Sequence, residues 1–317
     1  MESTPLRLFA LAASSELGAA VAAALAQPLA THEEREFEDG EHKARPLDAV
    51  NGADVYVIQS LHGGPEQSAN DKLCRLLFFI GAIKDAGAAR VTAVTPYLCY
   101  ARKDRRTKPK DPVTTRYIAG MFESVGTDCV VTLEVHNPVA FENAFRCRTV
   151  ALTGTPLFVD YVKTTLANDK LAVLSPDAGG MKRAELLRAA LEAALGRPVG
   201  KGLAEKHRSA GVVSGELFVG DVTGATALIV DDLISTGNTL LRAARSARKA
   251  GARARDRARH AWIVHARCSG RSRRSSNRPG GRHRRGSRIP PRLSCDKQKA
   301  GDPARRPTAR RDDQAPA

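Results

Sequence analysis

The stretch that decides the fold is Ala225-Thr226-Ala227-Leu228-Ile229-Val230-Asp231-Asp232-Leu233-Ile234-Ser235-Thr236-Gly237-Asn238-Thr239. The apolar run Ala227 to Val230 has the length and β-branching of a buried strand. It ends in two adjacent carboxylates, passes through small polar residues and enters a helical pattern from Leu240. Strand, loop and helix in that order aim backbone N–H groups at a helix N-terminus, where a phosphate binds well. Gly237 lets the backbone approach an anion closely, and Ser235, Thr236 and Thr239 add hydroxyl donors. Asp231 and Asp232 suit the hydroxyls of a sugar or a Mg2+ ion. The plainer alternative is a buried strand running into a capped helix, with both aspartates as turn residues.

Outward from this stretch, strands and helices alternate. Strands are expected at Leu6–Leu11, Asp54–Gln59, Val91–Thr95, Asp128–Leu133, Leu171–Leu174 and Ala225–Val230. Helices are expected from Ser15 to about Ala26 (capped by Ser14-Ser15-Glu16), and over Asn70–Ala86, Thr115–Val125 and Met181–Leu195. Phe37-Glu38-Asp39-Gly40-Glu41 reads as a tight acidic turn, and Arg102 to Lys110 as a basic loop. The alternation argues an α/β fold with parallel, doubly wound sheets, whose ligands lie beyond the C-terminal strand ends. Arg102, Lys103, Asp104 and His136 all follow strand ends.

With 317 residues the chain is long enough for two domains. No apolar run is long enough for a transmembrane helix, and Met1 to Pro5 does not open a secretory signal. The six cysteines form no C-x-x-C pair, which points to reduced thiols and a cytoplasmic location. The net charge of +16 is uneven: residues 251–317 hold 20 basic and 5 acidic residues, the rest 30 and 29. The bulk of the chain is therefore electrically balanced. Nucleic-acid binding would rest on a tail with one aromatic residue, Trp262, to stack on bases, and is not expected. There is no G-x-x-x-x-G-K-[ST] sequence, which excludes a P-loop kinase.

Five segments carry a resemblance: Phe37 to Glu41, Pro96-Tyr97-Leu98-Cys99-Tyr100-Ala101-Arg102-Lys103-Asp104, Val131-Thr132-Leu133-Glu134-Val135-His136, Ser175-Pro176-Asp177-Ala178-Gly179-Gly180 and Val230 to Thr239. In order and spacing they resemble the motifs of the PRPP synthetases (ribose-phosphate diphosphokinases) over about residues 5–250. The resemblance implies two tandem phosphoribosyltransferase-like domains, at 1–150 on the ATP side and 151–252 on the ribose 5-phosphate side, the second truncated. It implies transfer of the diphosphoryl group of ATP to ribose 5-phosphate, with Mg2+, in a homo-oligomer, dimer or hexamer.

The same resemblance distributes the roles. Phe37, Asp39 and Glu41 would reach the adenine of a neighbouring subunit's ATP. Arg102, Lys103, Asp104 and His136 would bind ATP, with Lys103 replacing a glutamine common in the family. His136 and Asp177 would hold the metal, and Lys206 and Arg208 would close on the transferring group from a flexible loop. Asp231, Asp232, Ser235, Thr236, Gly237, Asn238 and Thr239 would hold ribose 5-phosphate, with Ser235 where relatives carry Asp. A non-catalytic nucleotide-binding or regulatory relative, and a phosphoribosyltransferase, are the alternatives.

Past Gly251-Ala252 the character changes to an Arg-, Ser-, Gly- and Pro-rich tail over 253–317. The further strand expected there, opening with Thr-His-Gly, is missing. Reread one base later, with permitted codons, His260 to Cys268 gives Thr-His-Gly-Ser-Phe-Thr-Pro-Gly-Ala, because the sole Trp codon fixes the Gly. A frameshift near residue 252 is therefore expected. It would leave the second sheet's strands short of neighbours, with low stability and impaired activity.

Overall fold

The computed structural model of the chain describes residues 4–209, 212–234, 237–253 and 262–265, with 205–209, 212–217 and 262–265 described by their backbone alone. In chain order the first half runs β1 (Leu6–Ala10), α1 (Ser15–Leu25), β2 (His32–Glu36), β3 (His42–Pro46), β4 (Asp54–Ile58), α2 (Ala69–Asp85), β5 (Arg90–Val94), α3 (Thr114–Ser124), β6 (Cys129–Leu133), α4 (Pro138–Ala144) and β7 (Arg148–Leu152). The second half runs α5 (Thr155–Thr165), β8 (Leu171–Ser175), α6 (Met181–Leu195), β9 (Gly200–Ser209), β10 (Val212–Val219), β11 (Thr226–Asp231), α7 (Asn238–Lys249) and β12 (Trp262–His265).

The first sheet has strand order β1-β4-β5-β6-β7, all parallel. Its core takes the apolar stripe of α2, where Leu73, Leu76, Leu77, Ile80 and Ile83 are buried. A capping box starts that helix: Ser68 accepts from the Asp71 backbone, and Asp71 accepts from the Ser68 backbone. Phe9 and Phe79 meet edge to face, with centroids 5.3 Å apart. At α1 the cap read from Ser14 takes another form. Ser14 makes no side-chain cap bond, and its hydroxyl accepts from the backbone of Ser60, tying the helix start to the end of β4.

The second sheet has order β10-β9-β8-β11-β12. Alternation along β8 and β11 sends side chains to both faces. Val173, Leu228 and Val230 pack with Leu187 and Leu191 of α6. Ala172, Leu174, Ala227 and Ile229 pack with Leu240, Ala243 and Ala247 of α7. Burial on both faces explains why these strands read as unbroken apolar runs.

Two expectations about this half are corrected. Lys206 and Arg208 do not sit in a loop: their backbones belong to β9, in antiparallel register with Glu216 and Val213 of β10. Backbone pairing in a hairpin satisfies N–H and C=O groups whatever the side-chain polarity, so the polar stretch hid a strand. The flank of β11 does not lack a neighbour either. Trp262–His265 pairs with it in parallel, Leu228 opposite Trp262 and Asp231 opposite His265. Among the described residues no helix is long and apolar enough to cross a membrane. Cys74, Cys99, Cys129 and Cys147 are free thiols.

Candidate active site

Three strands of the two sheets carry acidic residues at or within two residues of their C-terminal ends, and all three open into one cleft of about 740 Å³. From β6 comes Glu134, which leaves the strand in the left-handed region, φ 50°. His136 and Asn137 follow. Asn137 caps α4 by accepting from the Ala140 backbone, and its amide donates to Asp104 Oδ2 at 2.6 Å. That bond holds Asp104 at the cleft wall beside Arg102.

From β8 comes Asp177, whose side chain accepts from the Gly180 backbone at 3.0 Å and so shapes the turn before α6. A side chain at Gly180 would come within 2.7 Å of the Ser175 hydroxyl, so the close turn needs glycine there. From β11 come Asp231 and Asp232. Gly237, at φ 78°, then starts α7, and Gly237 and Thr239 line the cleft.

The electrostatics centre on Asp232. His136 Nδ1 donates to its Oδ2 at 2.7 Å, and Arg183 Nη1 lies 3.8 Å from its Oδ1. Burial opposes ionisation of Asp232, but the His136 hydrogen bond and the Arg183 charge outweigh it and hold the carboxyl below the ordinary range. The same hydrogen bond raises the His136 imidazole, against the pull of burial. Asp231 goes the other way. Burial, with the adjacent Asp232 adding to it, pushes its carboxyl up to about 7. Two neighbouring acids are thus driven apart, one held ionised and the other near neutrality, as in many reactive sites.

Among the expected site residues, Arg102, Asp104, His136, Asp177, Asp231, Asp232, Gly237 and Thr239 line this cleft. Asn238 is the first residue of α7. Ser235 and Thr236 lie outside the described residues, and of Lys206 and Arg208 only the backbone is described. Lys103 is not in the cleft lining. Its ammonium bonds to Asp111 Oδ2 at 2.8 Å and to Thr107, because Asp111 closes the basic loop on itself. Phe37, Asp39 and Glu41 lie in the β2–β3 turn and do not line the cleft. There the Arg35 guanidinium covers the Phe37 ring at 5.1 Å, and Asp39 accepts from the Glu41 backbone.

Glu134, Asn137, Lys182 and Arg183, to which the motifs assign no role, also line the cleft. Glu134 stood inside a quoted motif, and Arg183 follows Gly179-Gly180 in the first turn of α6. Their pairing across two sheets has no sequence signature.

Five hard oxygen and imidazole groups (Asp104, Asp177, Asp231, Asp232 and His136) fit a Mg2+ ion better than a soft metal. Among the described residues no three such groups converge into a cage by themselves. That suits an ion that keeps waters and shares its ligands with substrate phosphates.

The description "N-terminal domain of ribose phosphate pyrophosphokinase" matches residues 6–126, and "Phosphoribosyl transferase domain" matches 154–277. Both halves are thus of the phosphoribosyltransferase class of α/β domains. A ribose-phosphate pyrophosphokinase of Chlorobaculum tepidum is 33% identical over 78% of this chain and 73% of its own length. Ribose-phosphate pyrophosphokinase 2 of Enterococcus faecalis is 34% identical over 78% and 74%. The crystal structure of phosphoribosylpyrophosphate synthetase from Mycobacterium smegmatis superposes with a TM-score of 0.71 at 29% identity, covering 83% of this chain and 80% of that one. The chain belongs to the ribose-phosphate pyrophosphokinase family.

Proposed function

We propose that the protein transfers the β,γ-diphosphoryl group of ATP to O1 of ribose 5-phosphate. The sugar oxygen bonds to the β-phosphorus, the bond from that phosphorus to the α–β bridging oxygen breaks, AMP leaves, and the O1 proton passes to solvent. The observation that carries this reading is the meeting of three acidic strand ends with the N-terminus of α7 in one cleft. The helix end and Thr239 suit the 5-phosphate, and Asp231 the ribose hydroxyls. Arg102 suits the ATP phosphates, since a guanidinium forks onto two oxygens. Transfer of this kind needs alignment and compensating charge more than covalent help.

His136 and Asp177 would hold Mg2+, which would spread negative charge off the phosphates. With Nδ1 committed to Asp232, His136 has Nε2 left for a ligand, the arrangement usual for a metal-binding imidazole. Lys206 and Arg208 would complete the charge around the transferring group. The Phe37–Glu41 turn, which does not line the cleft, suits contact with ATP in a neighbouring copy and hence a homo-oligomer.

A non-catalytic nucleotide-binding role is the second reading, favoured by Ser235 in the phosphate loop and by the self-paired Lys103. AMP release that depends on ribose 5-phosphate separates the two. Running it also on a frame-restored gene tests whether the tail after residue 252 lowers stability and turnover, as its Arg-rich composition suggests.

A further inference from the structure

We propose that Glu134 and Arg183 form a clasp between the two sheets that fixes Asp232 and, through it, positions Asp231 for the sugar, a role that rests on the ribose 5-phosphate reading above. Glu134 Oε1 accepts from the Thr153 hydroxyl and the Gly154 backbone, each at 2.8 Å. Those two residues lie where the chain passes from β7 of the first sheet to α5 of the second. Glu134 Oε2 accepts from Arg183 Nε at 3.3 Å, and Arg183 in turn faces Asp232. His136, two residues beyond Glu134, binds the other oxygen of Asp232. The circuit closes: β6 to α6, α6 to β11, β11 back to the β6 end.

The side chains of Glu134, Arg183 and Asp232 are 12%, 19% and 11% exposed, so each charge depends on its partners rather than on water. Glu134 presents its carboxylate from a left-handed backbone that a non-glycine residue rarely adopts. Asp232 is hydrogen-bonded at Oδ2 and faces the Arg183 charge at Oδ1, and its own N–H is bonded to Asp231 Oδ1 at 2.9 Å. Locking Asp232 therefore also sets the carboxylate that faces the sugar. Arg183 and Glu134 act through Asp232 and are positioning residues.

The test uses the full chain with Glu134→Gln, Arg183→Gln, Arg183→Lys and the double Gln variant. Calorimetry reads the affinity for ribose 5-phosphate and, separately, for ATP with Mg2+; Tm is recorded alongside. Each single Gln variant is expected to weaken ribose 5-phosphate about tenfold while ATP changes less than about twofold. Arg183→Lys, which keeps the charge but not the fork, should fall between. The double variant should be no worse than the weaker single, because both changes break one circuit. Equal weakening of both ligands in step with Tm, or additive losses, overturns the clasp as a positioning device. Unchanged sugar binding in every variant overturns it alone. Failure of the unsubstituted chain to bind ribose 5-phosphate overturns the underlying reading and the clasp's role with it. If Arg183→Gln does not fold, Arg183→Lys against Glu134→Gln decides.

Discussion

His136 Nδ1 donates to Asp232 Oδ2 at 2.7 Å, joining the end of β6 in the first sheet to the end of β11 in the second. The bond raises the imidazole and helps to lower the carboxyl, so the charged pair stabilises the fold only where both partners are ionised. Below the ordinary histidine value of about 6.5 the imidazole contribution is complete, and it is lost as pH climbs through the raised value. The carboxylate contribution is present above its ordinary value of about 3.9 and is lost as pH falls through the lowered one. Without divalent cation, the Tm advantage of the native chain over His136→Leu should therefore be largest near pH 5 to 6 and shrink as pH climbs through the raised imidazole value. A Tm difference that is flat from pH 5 to 9 would contradict the pair.

Asp231 titrates in the opposite sense. A carboxyl raised to about 7 in the fold costs stability above its ordinary value, increasingly until pH passes 7. Asp231→Asn should raise stability by about 2 kcal/mol at pH 8, below the full value of the shift because the group keeps some solvent, and by almost nothing at pH 4. It should also abolish turnover. Urea unfolding at the two pH values measures the first effect. A variant less stable than the native chain at pH 8 would contradict the assignment.

Arg102 and Lys103 are neighbours in sequence with different surroundings. Arg102 lines the cleft, whereas Lys103 is bonded to Asp111 within its own loop. Arg102→Ala should raise KM for ATP at least about tenfold, the scale of a charge-assisted phosphate contact. Lys103→Ala should change it by less than about threefold and act mainly on the loop. Steady-state kinetics at saturating ribose 5-phosphate compare them, and a larger effect at Lys103 would restore it to the ATP site.

Two helical glycines give a packing contrast. A Cβ on Gly18 of α1 would lie 2.1 Å from Ala10 Cβ of β1, whereas one on Gly120 of α3 would meet nothing within 4 Å. Gly18→Ala should destabilise by about 1–3 kcal/mol through overpacking. Gly120→Ala should stabilise by about 0.5–1 kcal/mol through helix propensity. Thermal unfolding of both decides, and the same sign for both would refute the close α1–β1 contact.

The parts of the fold legible in the sequence are those where burial writes a pattern. Leu171–Ser175 and Thr226–Asp231 are buried on both faces and read as strands without ambiguity, and Met181–Leu195 was bounded by Gly180 and Gly196. The β2–β3 hairpin did not show, because His32-Glu33-Glu34-Arg35-Glu36 has no apolar alternation and is held by pairing with β3. β7, half exposed, and α4 and α5, short and opened by proline, were missed for similar reasons. At the site, strand ends announced Asp177, Asp231, Asp232 and His136. The Glu134–Arg183 pair spans 49 residues and two sheets, a distance at which only the folded chain brings charges together.

If the cleft brings ATP and ribose 5-phosphate together, AMP release must depend on the sugar. The most direct measurement is AMP release from ATP and Mg2+ with and without ribose 5-phosphate, on this chain and on its frame-restored form. AMP and PRPP should form in equal amounts, only when ribose 5-phosphate is present, and faster from the restored form. AMP formation independent of the sugar, or no PRPP from either form, would contradict the diphosphoryl transfer.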